Sequence, residues 1–139
     1  MACPCFRPCR PLPPSMWPGP LRPPLGEVQQ GFCAGADPPY QPTTSCLIDL
    51  CNLGYTCKTC DHFPSDEATD AVRFSVAGDC EGSVSIAYAT ERDHLPGPHG
   101  MLIYHRKTAR WEGFDDSSPA AELVQAYLDS YLRWKETSY

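Results

Sequence analysis

Eight of the nine cysteines and 12 of the 16 prolines in this 139-residue chain fall within its first 60 positions. Closely spaced prolines remove backbone donors and hold φ near polyproline values, so residues 4–24 are expected to lack regular structure. Residues 26–42 read as further loop, with Pro38-Pro39 as a breaker. Such a segment has little apolar content with which to repay its ordering entropy, so it is expected to be extended and packed over the rest, or partly disordered, unless its thiols tie it down. The chain therefore divides into a Pro/Cys-rich wrap over 1–64 and an antiparallel sheet with a C-terminal helix over 65–139. At this length the two form one compact unit.

Many thiols serve disulfides, metal ligation or nucleophilic and redox chemistry. No apolar run of about 7 to 15 residues follows Met1, as a secretory signal needs, and no run of about 18 occurs anywhere, as a membrane helix needs. A cytoplasmic chain with reduced thiols is the expectation, and grouped cysteines there more often bind metal. Nine cysteines also cannot all pair within one chain. Net charge is -6, with thirteen acidic against seven basic side chains in residues 65–139. That half is a poor match to a phosphate backbone, so nucleic-acid binding is not expected.

Within the wrap, Thr43-Thr44-Ser45 supplies capping hydroxyls ahead of an apolar run, and Gly54 supplies a stop, which predicts a short helix over 46–53. In a regular α-helix Cys46 and Cys51, five apart, point about 140° away from each other. Cys51 shares a face with Leu47 and Leu50 and is the better ligand. Cys57-Lys58-Thr59-Cys60 is a C-x2-C pair of the kind that places two sulfurs on one zinc, although no second pair follows at zinc-ribbon spacing. Cys46 and Cys80 read as small buried hydrophobes.

From Ala71 the pattern turns to period two. Residues 71–76 and 84–89 alternate around a turn over 78–82, residues 95–100 form a loop rich in glycine and proline, and strands follow over 101–105 and 110–114. Ser118 as N-cap, Pro119 at the first helical position and Glu122 in the first turn open a helix. Leu123, Val124, Tyr127, Leu128, Tyr131 and Trp134 form its apolar stripe. The fold class is α+β: a three- to four-stranded antiparallel meander, a packed C-terminal helix and a wrap containing one short helix.

Cys3-Pro4-Cys5-Phe6, Pro24-Leu25-Gly26 followed by Cys33, Leu50-Cys51-Asn52-Leu53-Gly54-Tyr55, and Cys60 followed by Phe63-Pro64 carry a resemblance. So do Ala71-Val72-Arg73-Phe74-Ser75-Val76 and Glu91-Arg92-Asp93-His94 followed by His99-Gly100. Over most of its length the chain resembles a group of short, uncharacterised bacterial proteins with no established activity. The resemblance implies a ligand set of Cys5, Cys33, Cys51 and Cys60, with Cys3 as the alternate for Cys5. Cys9, Cys46, Cys57 and Cys80 are additional to it, so Cys57 is an alternate that rests on the C-x2-C spacing alone.

These four are separated by 27, 17 and 8 intervening residues. Zinc is usually held by ligands paired within two to four residues, whereas an iron-sulfur cluster accepts thiolates from distant segments. The spacing thus favours a 4Fe-4S cluster, with zinc as the alternative, and Phe6, Phe32, Tyr55 and Phe63 as candidate shields. The expected role is electron transfer, sensing or stabilisation of an assembly, with a larger protein or redox partner and no membrane span. A structural zinc-binding interaction module is the second reading. A third, from a different class, is a hydrolytic or transfer enzyme using Glu91, Asp93, His94 and His99 in a stiff loop over 91–100, where carboxylates and imidazoles supply acid-base or metal chemistry. Histidines at strand ends are more often surface groups, and no phosphate loop or nucleophile elbow is present.

Overall fold

The structure is a computed structural model that describes residues 2–13, 24–35, 39–54, 60, 69, 71–113 and 120–137. Its elements follow in the order β1 (Phe6–Pro11), β2 (Gln29–Cys33), α1 (Thr44–Cys46) continuing into a π-helical turn (Leu47–Cys51), β3 (Ala71–Cys80), β4 (Ser83–Arg92), β5 (Leu95–His105), β6 (Arg110–Glu112) and α2 (Ala120–Thr137). Strands β3-β4-β5-β6 form the expected meander in sequence order. The architecture is mixed α+β.

Alternation along β3 and β4 sends Val72, Phe74, Val84 and Ile86 inward and leaves Arg73 and Ser75 exposed. Leu123, Val124 and Leu128 of α2 bury against that face with Leu102 of β5, and the Phe74 and Tyr127 rings meet at 5.7 Å. Trp134 departs from the expected stripe: it is 62% exposed, lying against Tyr131 at 6.2 Å. It stands near the helix C-terminus, where the stripe runs out of core to cover. The expected cap residues Ser118 and Pro119, and Phe114 at the expected end of the fourth strand, lie outside the described residues.

Three expectations for irregular structure are overturned. Residues 6–11 and 29–33 form an antiparallel ribbon instead of loop, with Phe6 opposite Cys33 and Pro11 opposite Gln29. Proline is tolerated because a two-stranded ribbon leaves each strand an edge that needs no donor, and the register slips between Pro8 and Arg10. Gly31 permits the close pairing, since a Cβ there would stand 2.1 Å from the Arg7 carbonyl oxygen. Residues 95–100 belong to β5 rather than to a loop, Pro96 pairing with Glu91 and Gly100 with Tyr88. The turn has shrunk to Asp93 and His94, both at positive φ (51° and 65°) between the paired Arg92 and Leu95. A two-residue turn of that backbone matches strand twist and lets the hairpin run to its tip. At the other end of β4 the turn is likewise only Glu81 and Gly82, β3 extending through the expected turn to Cys80.

The wrap is fastened to this frame at several points. Ala2 bridges Val72 through two backbone hydrogen bonds, Ala2 N–H to Val72 O at 2.6 Å and the return at 2.8 Å. Arg133 of α2 donates to Glu27 at 2.6 and 3.0 Å, and Arg7 of β1 lies 3.7 Å from Glu122. Ala2, Cys3, Cys5, Phe6, Leu25, Cys33 and Leu47 belong to the same buried cluster as the sheet and α2 residues.

Candidate metal centre

The cysteine-bearing segments are joined through their backbones. Phe6 N–H donates to Cys3 O at 3.2 Å, closing a turn with Pro4 at its second position, where proline's fixed φ fits. Cys3 N–H donates to Cys51 O at 3.1 Å, and Ala34 N–H to Cys5 O at 2.9 Å. Cys33 and Tyr40 exchange a pair of hydrogen bonds at 2.8 and 3.2 Å. The first turn of the chain thus sits between the end of the short helix and the end of β2.

The short helix forms where expected, and its geometry differs from a regular helix. Thr43 caps it, accepting from Cys46 N–H at 3.2 Å, and Gly54 takes a positive φ of 75° beyond its end. Between them Asn52 N–H donates to Leu47 O five residues back at 3.1 Å, the signature of a π-turn. The expected 140° separation of Cys46 and Cys51 presumed α-helical winding, and five-residue hydrogen bonding brings residues five apart towards the same side. Asn52, 1% exposed, holds the turn to β2: its side chain accepts from Gln29 N–H at 2.9 Å and donates to Gln29 O at 3.0 Å and Leu47 O at 2.7 Å. Asn52 and Tyr40 position the cavity; Asn52 figured only as one residue of the Leu50–Tyr55 motif, and Tyr40 did not stand out in the sequence. Only the fold reveals an asparagine whose side-chain amide is engaged by backbone groups of two segments.

Cys3, Cys5, Cys33, Cys51 and Cys60 line a single cavity of ≈ 10 Å³, together with Phe6, Tyr40 and Leu50. All four expected ligands and the alternate Cys3 therefore line one cavity. Cys3, Cys5 and Cys33 are buried, Cys51 and Cys60 partly so. No disulfide joins any of the eight described cysteines. Gly35 N–H donates to Cys33 Sγ at 3.4 Å. Among the described residues, no group of three or more histidine, cysteine or acidic side chains is arranged to hold a metal ion. The thiols share a cavity without converging on one point.

The other expected contributors fall elsewhere. Cys57, Tyr55 and Phe63 lie outside the described residues. Phe32 is 38% exposed, pointing away from the thiols where Phe6, 1% exposed, does line them. Cys46 is partly exposed and Cys80 exposed, so neither is the buried hydrophobe expected: Cys46 ends α1, just before the π-turn, and Cys80 ends β3 at a turn. Glu91 lies on β4, Asp93 and His94 in the exposed hairpin turn, and His99 exposed on β5 opposite Ala89. They line neither the thiol cavity nor the open groove of ≈ 620 Å³ between the ribbon, β6 and α2. That groove holds Arg10, Trp111, Glu122 and Arg133, of which Glu122 and Arg133 already face Arg7 and Glu27.

Burial pushes the Cys51 thiol up to about 12, and the neighbouring sulfurs of Cys3, Cys33, Cys60 and Cys46 add to it. Tyr40 is likewise raised to about 12, first by burial and then by Cys60, Cys51, Cys46 and Cys33. A nucleophilic cysteine needs its pKa lowered, so this environment opposes thiolate catalysis by Cys51. It is the environment in which thiolates gain most from a cation, whose charge offsets their burial and mutual repulsion. No family model, no curated protein and no solved structure matches the chain. The helices of the described residues include none long and apolar enough to cross a membrane.

Proposed function

We propose that this chain is a small metal-binding protein in which Cys5, Cys33, Cys51 and Cys60 ligate a 4Fe-4S cluster. The observation that supports the reading is the meeting of thiols from four distant segments around one cavity whose wall is otherwise Phe6, Tyr40 and Leu50. Tetrahedral zinc needs four sulfurs within about 2.3 Å of one point. A cluster instead binds each thiolate to a different iron, so its sulfurs stand farther apart, as thiols that surround a cavity do. Binding would tie the ribbon, the π-turn and Cys60 together, with apparent energies on the order of 10 kcal/mol for thiolate-bound metals. Buried behind Phe6 and Tyr40, the cluster would pass electrons to a redox partner, report on oxidants or stabilise a larger assembly.

Cluster binding requires the cavity to widen, because ≈ 10 Å³ is about the room of one water-sized sphere. That observation favours a second reading, a structural zinc-binding interaction module, in which the same thiolates close on one ion. The enzyme reading has no comparable support, since its four residues are spread over two strands and an exposed turn.

Protein purified without oxygen, with metal analysis and a visible absorption spectrum, tests the reading. A brown protein with about four irons and four sulfides per chain is expected. A colourless protein with one zinc transfers the site to the second reading, and protein that takes up neither metal after reconstitution overturns both.

A further inference from the structure

We propose that the face of the sheet turned away from α2 is a contact between two copies of this chain, related by a two-fold axis that sets their strands at nearly a right angle. This contact does not depend on the metal-binding reading. The registers place Arg73, Ala89 and His99 in one row across the sheet, Ser75, Ala87 and Met101 in the next, and Gly78, Ser85, Ile103 and Glu112 in a third. The alternating residues Val72, Phe74, Ile86 and Leu102 are buried in the cluster shared with α2, so these rows occupy the opposite face.

An antiparallel sheet with one face in water carries polar residues on that face. Here β4 and β5 instead set Ala87, Ala89, Met101 and Ile103 side by side at its centre, Met101 49% exposed and the others partly so. Polar groups surround them, with Arg73, Ser75 and His99 exposed towards one corner and Glu112 exposed at the corner diagonally across. An apolar centre inside a polar rim is the anatomy of a protein contact. Its relief is self-complementary as well: Met101 stands up beside its paired neighbour Ala87, so two copies can each seat a methionine on the other's alanines.

Charge points to a second copy as the occupant. Residues 65–139 hold thirteen acidic against seven basic side chains, so two copies repel over much of that half. Within the three rows the charges are Arg73 and Glu112, one of each sign, and Arg110 lies one row farther out, opposite His105. Arg73 has no ion-pair partner among the described residues, and Glu112, 3.2 Å from His105, keeps its side chain 66% exposed. The two mark opposite corners, about 14 Å apart across three strand spacings and about 13 Å apart along β4 from Ala89 to Ser85. Because those sides are nearly equal, a two-fold axis along the other diagonal lays Arg73 of each copy over Glu112 of the other. It forms two ion pairs and turns the sheets to orthogonal packing. Across four strands, the stretch from Ser83 to Ala89 offers roughly 440 Å² a copy. Roughly 900 Å² for the pair is at the low end for a specific contact, so the dimer forms only at high protein concentration.

Sedimentation equilibrium of the full chain under reductant, from about 10 µM to about 1 mM, tests the contact on the native protein, Met101→Glu, Arg73→Glu, and Arg73→Glu combined with Glu112→Arg. Native protein is expected to pass from one chain to two across that range. Met101→Glu should weaken association about tenfold and Arg73→Glu about fivefold, while the combined exchange should return it to within about twofold of native. All three positions are exposed, and circular dichroism checks that each variant is folded. Native protein that stays a single chain at about 1 mM overturns the proposal. A dimer that survives Met101→Glu does so too, because its contact lies elsewhere. Association lost in Arg73→Glu and not recovered in the combined exchange overturns the diagonal arrangement and with it the proposal. If Met101→Glu does not fold, the two charge variants decide by the same criterion.

Discussion

Asp79 accepts from Arg106 at 2.6 Å, from the Tyr131 hydroxyl at 2.7 Å and from Lys135, joining the end of β3 to the turn after β5 and to α2. Those donors, Lys135 and Tyr131 foremost, hold its carboxyl down at about 2 against an ordinary 3.8. A depressed pKa contributes stability that is fully present above the unfolded value and is lost as pH falls through the folded one. Stability should therefore decline from about pH 4 towards pH 2, and Asp79→Asn should flatten that decline. Lys135 and Arg106 are 36% and 33% exposed, so solvent screening limits the effect to about 1 kcal/mol at neutral pH. Urea denaturation of both proteins at neutral and acid pH checks the slope. Asn52 is the contrasting polar residue: fully enclosed and satisfied by backbone groups, it shapes the site without titrating.

At the scale of elements, the β4–β5 hairpin shows local backbone demand outweighing composition. Two prolines and two glycines within 95–100 read as loop, yet Leu95 to Gly100 continue the ladder because this part of β5 pairs with β4 and is otherwise exposed. Its turn places Asp93 and His94 at φ of 51° and 65°, a region non-glycine residues enter at some cost. Asp93→Asn with His94→Gly supplies the residues that turn prefers and should stabilise the protein by about 0.5–1 kcal/mol. Thermal denaturation measures the gain, and unchanged metal content in that variant would separate the hairpin from the thiol site. The ribbon teaches the same lesson, since Pro8 and Pro11 enter a strand whose partner supplies Gly31 at the tightest approach.

For the whole molecule, the chain combines a frame closed by ordinary apolar packing with a wrap that leans on it. Phe74, Ile86, Leu102, Leu123 and Leu128 of the sheet and α2 share one buried cluster with Cys3, Cys5 and Cys33 of the wrap, whose thiols also line the cavity. If the thiols bind metal as proposed, removing it with a chelator under reducing conditions should loosen the wrap first. Amide hydrogen exchange should then speed up by at least tenfold at Cys3, Cys33, Ala34 and Tyr40, while Val84 and Ile86 stay protected. Equal loss of protection at both sets would mean that metal sustains the entire fold.

By itself the sequence determined the frame and the kind of chemistry available. Period-two alternation over 71–76 and 84–89 and the stripe from Leu123 to Tyr131 are local consequences of side chains facing one core, so they are legible without coordinates. The abundance of cysteine near the start pointed to thiol chemistry in the wrap, and the four-cysteine set came from resemblance, not from spacing. Tertiary structure decided the rest. That Cys3 joins the other four depends on a hydrogen bond between residues 3 and 51, and the ribbon depends on Gly31 meeting a distant proline. The winding at Cys51 depends on Asn52 reaching Gln29 across the wrap. Each is a contact between segments far apart in the chain, and no local pattern encodes which distant partner satisfies a given backbone group.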